Sequence, residues 1–162
     1  FVMKNKVYVT DDGQKIYKDR SVGVVMVAAT CDENKRLFVL CNRRGNRTSE
    51  CKCKWNLPSG YLDWDESGME AAVRETFEEC GVRIPLEYVT EVEHSTLPTE
   101  NRQNVIFRYL AMLPSSFLQQ ELTMKNSELD EVTEVKWIPI DELDKYEFAW
   151  KQVDTIKRIL CG

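Results

Sequence analysis

The apolar run S-V-G-V-V-M-V-A-A-T, Ser21 to Thr30, is almost unbroken and rich in β-branched residues. Such a run predicts a central strand buried on both faces. The turn C-D-E-N-K-R leads to a second strand, L-F-V-L-C-N. Before them, Val7–Val9 and Ile16-Tyr17 flank T-D-D-G-Q-K, which predicts a small N-terminal hairpin within residues 1–20, turning at Asp12-Gly13. R-R-G-N-R-T-S-E-C-K-C-K is a polar, basic loop. In W-N-L-P-S-G-Y-L-D-W-D-E-S, Pro58 and Gly60 are expected to interrupt regular structure. Further on, L-E-Y-V-T-E-V-E-H-S-T and N-V-I-F-R-Y-L-A-M-L predict a strand pair. The segment from Pro114 to Glu131 reads as long, polar and mobile. E-V-K-W-I-P-I predicts a last strand, Asp141-Glu142-Leu143 the opening of a helical turn, and Phe148 onward a helix burying Ala149, Trp150, Val153, Ile156 and Leu160.

Periodicity changes from 2 to 3.6 after Ser67. Met69, Ala72, Val73, Thr76, Phe77 and Cys80 recur at helical spacing and predict one buried stripe. Ser67 and Glu70 form an S-x-x-E capping signature, and Gly81 sits where a C-terminal cap belongs. Strands and helices intermixed without linker or repeat predict a single α/β or α+β domain over residues 1–162, in which helices and sheet pack as a sandwich.

Composition fits a folded soluble domain, with 43% apolar and 30% charged residues. No apolar run approaches the roughly 18 residues of a membrane span. No apolar stretch near the start precedes a small-residue cleavage site, so a cytoplasmic location and no membrane partner are expected. The net charge of −5 is unevenly placed: Gly60 to Val82 holds Asp63, Asp65, Glu66, Glu70, Glu75, Glu78 and Glu79 against one base, Arg74. Concentrated acidity suggests a cation site and would repel duplex nucleic acid. Of six cysteines, Cys41, Cys51 and Cys53 offer soft ligands for zinc. The set lacks the usual two-residue spacer and a fourth ligand, and the lone histidine, His94, is far off in sequence, so reduced thiols are expected.

On a helix Glu75, Glu78 and Glu79 are related by i+3 and i+4, so their carboxylates share a face. They repel one another unless a cation stands among them, and hard oxygen donors suit Mg²⁺ or Mn²⁺. A solvated helix face is the plainer alternative, but the helix has no lysine ladder to neutralise it. Arg74 is placed to pair with Glu78 one turn on or to reach back to Glu66.

Gly60, five residues, Glu66, seven residues, then R-E-T-F-E-E-C-G-V resembles the Nudix box, G-x5-E-x7-R-E-U-x-E-E-x-G-U, over residues 60–82. The lead-in W-N-L-P-S-G and the late E-V-K-W-I-P-I-D-E-L resemble the family's flanking segments. Two positions depart. Thr76 replaces an aliphatic residue and can bond a preceding carbonyl, and Ser59 replaces the usual first loop glycine, where side-chain sterics restrict φ.

The resemblance implies an α/β/α sandwich with a mixed β-sheet, the Nudix fold, and a pyrophosphohydrolase that cleaves a nucleoside diphosphate linked to another moiety. It implies Mg²⁺ or Mn²⁺ held by Glu75, Glu78 and Glu79 with a carbonyl of Ser59 or Gly60, supported by the pair Glu66 and Arg74. Glu75, Glu78, Glu128 or Glu131 would take the proton of the attacking water. Arg43 or Arg44 would grip phosphate, and Tyr61 and Trp64 would stack on a base; Arg102 is a weaker phosphate candidate. The partner is then a small-molecule nucleotide, with the chain a monomer or homodimer. The alternative is a non-catalytic module that senses a nucleotide or sugar through the same pocket.

Overall fold

A computed structural model of the chain describes residues 6–17, 20–46, 48, 50–98, 103–124 and 131–162. The unbroken apolar run forms β3 (Val22–Cys31), whose interior residues Gly23 to Thr30 are all buried. It lies at the middle of a seven-stranded mixed sheet ordered β5-β4-β3-β8-β7, with β6 pairing β3 and β9 pairing β4. Here β4 is Leu37–Arg44, β5 Trp55–Asn56, β6 Ser59–Tyr61, β7 Val89–Ser95, β8 Val105–Leu113 and β9 Val132–Pro139. β3 and β8 run parallel from Val22↔Val105 to Thr30↔Leu113, and the other pairings in the sheet are antiparallel. The predicted hairpin forms a separate two-stranded sheet of β1 (Val7–Val9) and β2 (Lys15–Tyr17), with Gly13 at φ +85° in its turn.

A strand buried on both faces needs a layer on each side. One side is covered by α1 (Gly68–Cys80), whose Ala71, Ala72 and Cys80 pack with Val24, Met26, Ala28 and Leu40. The other is covered by α2 (Gln152–Cys161) and the turn Ile140–Lys145, through Leu143 and Ile156 against Val25, Val27, Val39 and Cys41. This is the three-layer α/β/α sandwich with a mixed sheet, in a single domain.

Four expectations shift. The W-N-L-P-S-G segment is not irregular throughout: β5 and β6 add two short strands on either side of Pro58, whose carbonyl accepts the Met26 N–H at 2.9 Å. The chain after Pro114 is anchored in its first part, since Phe117 is buried and the Thr123 N–H donates to the Cys80 carbonyl; residues 125–130 lie outside the described set. Leu86–Tyr88 is a 3-10 turn ahead of β7. The last helix begins at Gln152 rather than Phe148, and Trp150 stands exposed, because Trp150 and Lys151 both take positive φ (50° and 55°). No helix among the described residues is long and apolar enough to cross a membrane.

Candidate active site

The site is built on α1 and the loop that precedes it. Ser67 caps the helix, its Oγ accepting the Glu70 N–H at 3.2 Å, and Gly81 closes it at φ +74° with its N–H on the Phe77 carbonyl. Fixing both ends fixes the rotation of the helix. Ala71, Ala72, Thr76 and Cys80 then face the sheet, and Glu75, Glu78 and Glu79 border an open cleft of about 920 Å³. Thr76 is fully buried and donates its hydroxyl to the Ala72 carbonyl at 2.7 Å, so the departure from an aliphatic residue leaves no polar atom unpaired.

Arg74 organises the acids. Its Nε and Nη2 donate to Glu66 Oε2 and Oε1 at 3.0 and 2.8 Å, a bidentate pair. Nη1 donates to Glu75 Oε1 at 2.8 Å and to Glu78 Oε2 at 3.3 Å, while Nη2 also reaches the Tyr61 carbonyl at 3.0 Å. Both pairings foreseen for Arg74, back to Glu66 and forward to Glu78, are made at once. Glu66 in turn accepts the Asp63 N–H at 2.8 Å, a bond within the loop that Arg74 ties to the helix. The Arg74 bonds hold the Glu66 carboxyl below its ordinary range and raise the guanidinium further.

Glu75 and Glu79 behave differently. Burial pushes Glu75 up to about 7, against the lowering influence of Arg74. Glu79 is driven well above the usual carboxyl value, first by burial and then by the charge of Glu75. Its described hydrogen bonds come from neutral donors, the Asn42 amide and the Ser59 N–H, the latter at 3.4 Å. The remaining charge of Glu131, which also borders the cleft, pushes both groups in the same direction.

Gly60 and Ser59 belong to β6, paired with Val24 and Val25. Neither has positive φ, so the loop does not demand glycine for its backbone conformation, and Ser59 is accommodated. Gly60 is required by proximity instead: a Cβ there would stand 2.1 Å from the Glu75 carboxyl. The glycine leaves the space that this carboxyl occupies.

Of the proposed substrate contacts, Arg44 and Tyr61 line the cleft, whereas Arg43 and Trp64 do not. β4 alternates, so Asn42 and Arg44 face the cleft while Arg43 points away. Arg43 is held by Glu134 Oε1 at 3.1 Å and by the Cys53 carbonyl at 3.0 Å. Trp64 is 96% exposed in a turn next to Asp65, which has φ 63°. Glu128 and Arg102 fall outside the described residues. Cys41 is buried in the α2-side core and Cys53 is exposed, and among the described residues no three Cys, His or acidic side chains are gathered around a point that could hold a metal ion. That statement includes Glu75, Glu78 and Glu79, of which Glu75 and Glu78 both accept from Arg74.

Asn42, Asn56, Trp150 and Gln152, which no motif in the sequence marks, also line the cleft. Asn42 and Asn56 are fully buried amides in apolar strands, and a polar residue inside such a run is the signal that would have found them. Trp150 was masked by its helical spacing to Val153 and Ile156.

The chain belongs to the Nudix family: the NUDIX domain model matches residues 19–159. The fold is similar to the NUDIX domain of Shewanella oneidensis NrtR complexed with ADP ribose, at TM-score 0.71 and 22% identity over 88% of this chain and 87% of that one. It is also similar to a MutT/nudix family protein from Enterococcus faecalis, at TM-score 0.63 and 27% identity over 75% of this chain and 44% of that one, so it spans under half of that protein's length. A C. elegans Ap4A hydrolase binary complex matches at TM-score 0.64 and 17% identity, over 87% of this chain and 96% of that one.

Proposed function

We propose that the chain is a divalent-metal-dependent pyrophosphohydrolase acting on a nucleoside diphosphate linked to another moiety. The observation that carries this reading is the pair Glu75 and Glu79, two acids lodged beside one another in a cleft that raises the pKa of both. Acids are costly to hold in that way unless a cation offsets their charge. The donor set is all oxygen, which fits Mg²⁺ or Mn²⁺: Glu75, Glu78 and Glu79, with a carbonyl of Ser59 or Gly60 beside them. Bound there, the metal would neutralise pyrophosphate charge and polarise a phosphorus–oxygen bond.

The residues around the acids have parts that their surroundings support. Arg74, gripped by Glu66, holds Glu75 and Glu78 in place and would release Glu78 to the cation. Asn42 and the Ser59 N–H orient Glu79. Water attacks phosphorus, a new P–O bond forms and the bridging P–O bond breaks. The water proton passes to a carboxylate, with Glu131 at the cleft border, Glu75 and Glu78 as the groups in reach, and Glu128 as a further candidate. Arg44 and Tyr61 contact the substrate. The partner is a small nucleotide rather than duplex nucleic acid, since the cleft is acidic until metal is bound.

The alternative is a non-catalytic Nudix module that senses a nucleotide or sugar; likeness to the NrtR domain raises it, and the complete set of box carboxylates favours hydrolysis. The test is a panel of nucleoside-diphosphate-X compounds incubated with Mg²⁺ or Mn²⁺, and with chelator, with products identified by mass. Metal-dependent release of a nucleoside monophosphate or diphosphate supports the hydrolase. Metal-independent binding with no product from any compound supports the sensor.

A further inference from the structure

Part of the cleft lining is not used by the phosphate chemistry. Asn56 is 1% exposed and lines the cleft, yet among the described residues its amide oxygen has no hydrogen-bond partner. A buried acceptor left unpaired is unfavourable and rare, and asks for a donor. Next to it stands Trp150. Hydrogen bonds lace the two segments together: the Ala149 N–H donates to the Trp55 carbonyl, and the Leu57 N–H to the Gln152 side-chain Oε1, both at 2.8 Å. Asn56 and Trp150 therefore sit between the same pair of rungs.

Trp150 takes a conformation that bulky residues avoid. It and Lys151 follow one another at φ 50° and 55°, and the result is an indole 47% exposed at the cleft rather than buried under α2. Backbone strain of this kind persists where surrounding structure enforces it, and it concentrates at ligand sites. The Arg44 guanidinium lies over the indole, 4.6 Å from its centroid, and its Nε is fixed by the Glu50 carbonyl at 3.0 Å. Arg44 is thus committed to a ring face. Arg44 and Asn42 are alternate residues of β4, about 7 Å apart along the strand, and Asn56 is the cross-strand partner of Asn42, whose amide orients Glu79.

We infer that Arg44, Trp150 and Asn56 form a nucleobase site that selects a base with an exocyclic amine next to an acceptor ring nitrogen, adenine or cytosine. The base stacks on the Arg44–Trp150 pair, as planar rings do on aromatic and guanidinium faces. Its amine donates to Asn56 Oδ1, and the Asn56 amide N–H donates to the adjacent ring nitrogen, the two-bond match of an amide to adenine. This deepens the nucleotide reading above and rests on it. It moves Arg44 from phosphate binding to base binding.

The test is calorimetric binding of ADP, IDP and inorganic pyrophosphate to the full chain with Mg²⁺, since adenine and hypoxanthine differ at the amine and its neighbouring nitrogen. ADP is expected to bind about tenfold or more tighter than IDP, the scale of a mismatched two-bond contact. Asn56→Leu is expected to bring the two together. Trp150→Ala is expected to weaken both nucleotides about tenfold while leaving their ratio and pyrophosphate binding unchanged, and Trp150→Phe to restore most of the loss. Should a variant not fold, the comparison of ADP with IDP on the wild-type chain decides the role of Asn56, and Trp150→Phe against Trp150→Leu decides the platform. Equal binding of ADP and IDP, or tighter IDP, overturns the amine selection; unchanged nucleotide binding by Trp150→Ala overturns the platform. In either case, retained pyrophosphate binding leaves the phosphate site standing. Failure of all three ligands to bind overturns the nucleotide reading and this site with it.

Discussion

Gly60 and Thr76 show how little a consensus letter says without its physical reason. Gly60 has an ordinary φ, so its value is the missing Cβ beside the Glu75 carboxyl. Gly60→Ala is expected to fold, because the clashing atoms belong to a side chain that can swing. It is expected to displace Glu75 and lower metal-stimulated turnover by about tenfold or more, the scale of disturbed metal-site geometry. Circular dichroism and a metal titration of activity check both halves. Thr76→Val keeps the shape and removes a hydroxyl whose only described bond is to a helix carbonyl already in the ladder. Its stability by urea unfolding is expected within about 1 kcal/mol of wild type. A much larger loss would mean that the hydroxyl anchors the helix in some further way.

Among elements, α1 was the most legible. Its caps, buried stripe and acidic face all have local causes, and only Ala71 was missed among the residues that face the core. β4 was half legible. The strand itself could be read from its apolar run, but which of Arg43 and Arg44 faces the cleft depends on register with β5 and β9, which no local pattern encodes. The start of α2 is hidden for a related reason: Trp150 and Lys151 take positive φ directly after Ala149, whose N–H is bonded to the Trp55 carbonyl of β5, far away in sequence.

α2 is also tied to the sheet by charge. Arg158 Nη2 reaches Glu93 Oε1 at 2.6 Å, and Arg108 from β8 approaches the same oxygen at 3.2 Å. The Arg158 bond, aided by Arg108, holds the Glu93 carboxyl below its ordinary range. A depressed carboxyl contributes stability that is complete above its unfolded value, about 4.3, and that disappears as pH falls through the lower folded value. Glu93→Gln is therefore expected to be less stable than wild type at pH 7, with the gap closing below about pH 4. Chemical denaturation at a series of pH values measures the gap, and a constant difference down to strongly acid pH would show that the charge is not its source.

For the molecule as a whole, the sandwich was legible because its central strand is apolar on both faces and so demands two helical layers. The glutamates proposed to ligate the metal were legible because a single helix carries them. The rest of the cleft draws on β4, β5, β6, β8 and the approach to α2, and its composition appears only once those strands are paired. The proposed hydrolysis depends on the acids of α1 serving a cation in phosphate chemistry. The most direct test compares wild type with Glu79→Gln for hydrolysis of nucleoside-diphosphate-X compounds in Mg²⁺ or Mn²⁺, with products identified by mass. Glu79→Gln keeps the shape and an amide able to meet Asn42, and is expected to fold while losing at least about a hundredfold in turnover. Chelator is expected to silence the wild type to the same degree. Equal turnover by the two proteins, or wild-type turnover indifferent to chelator, would contradict the account.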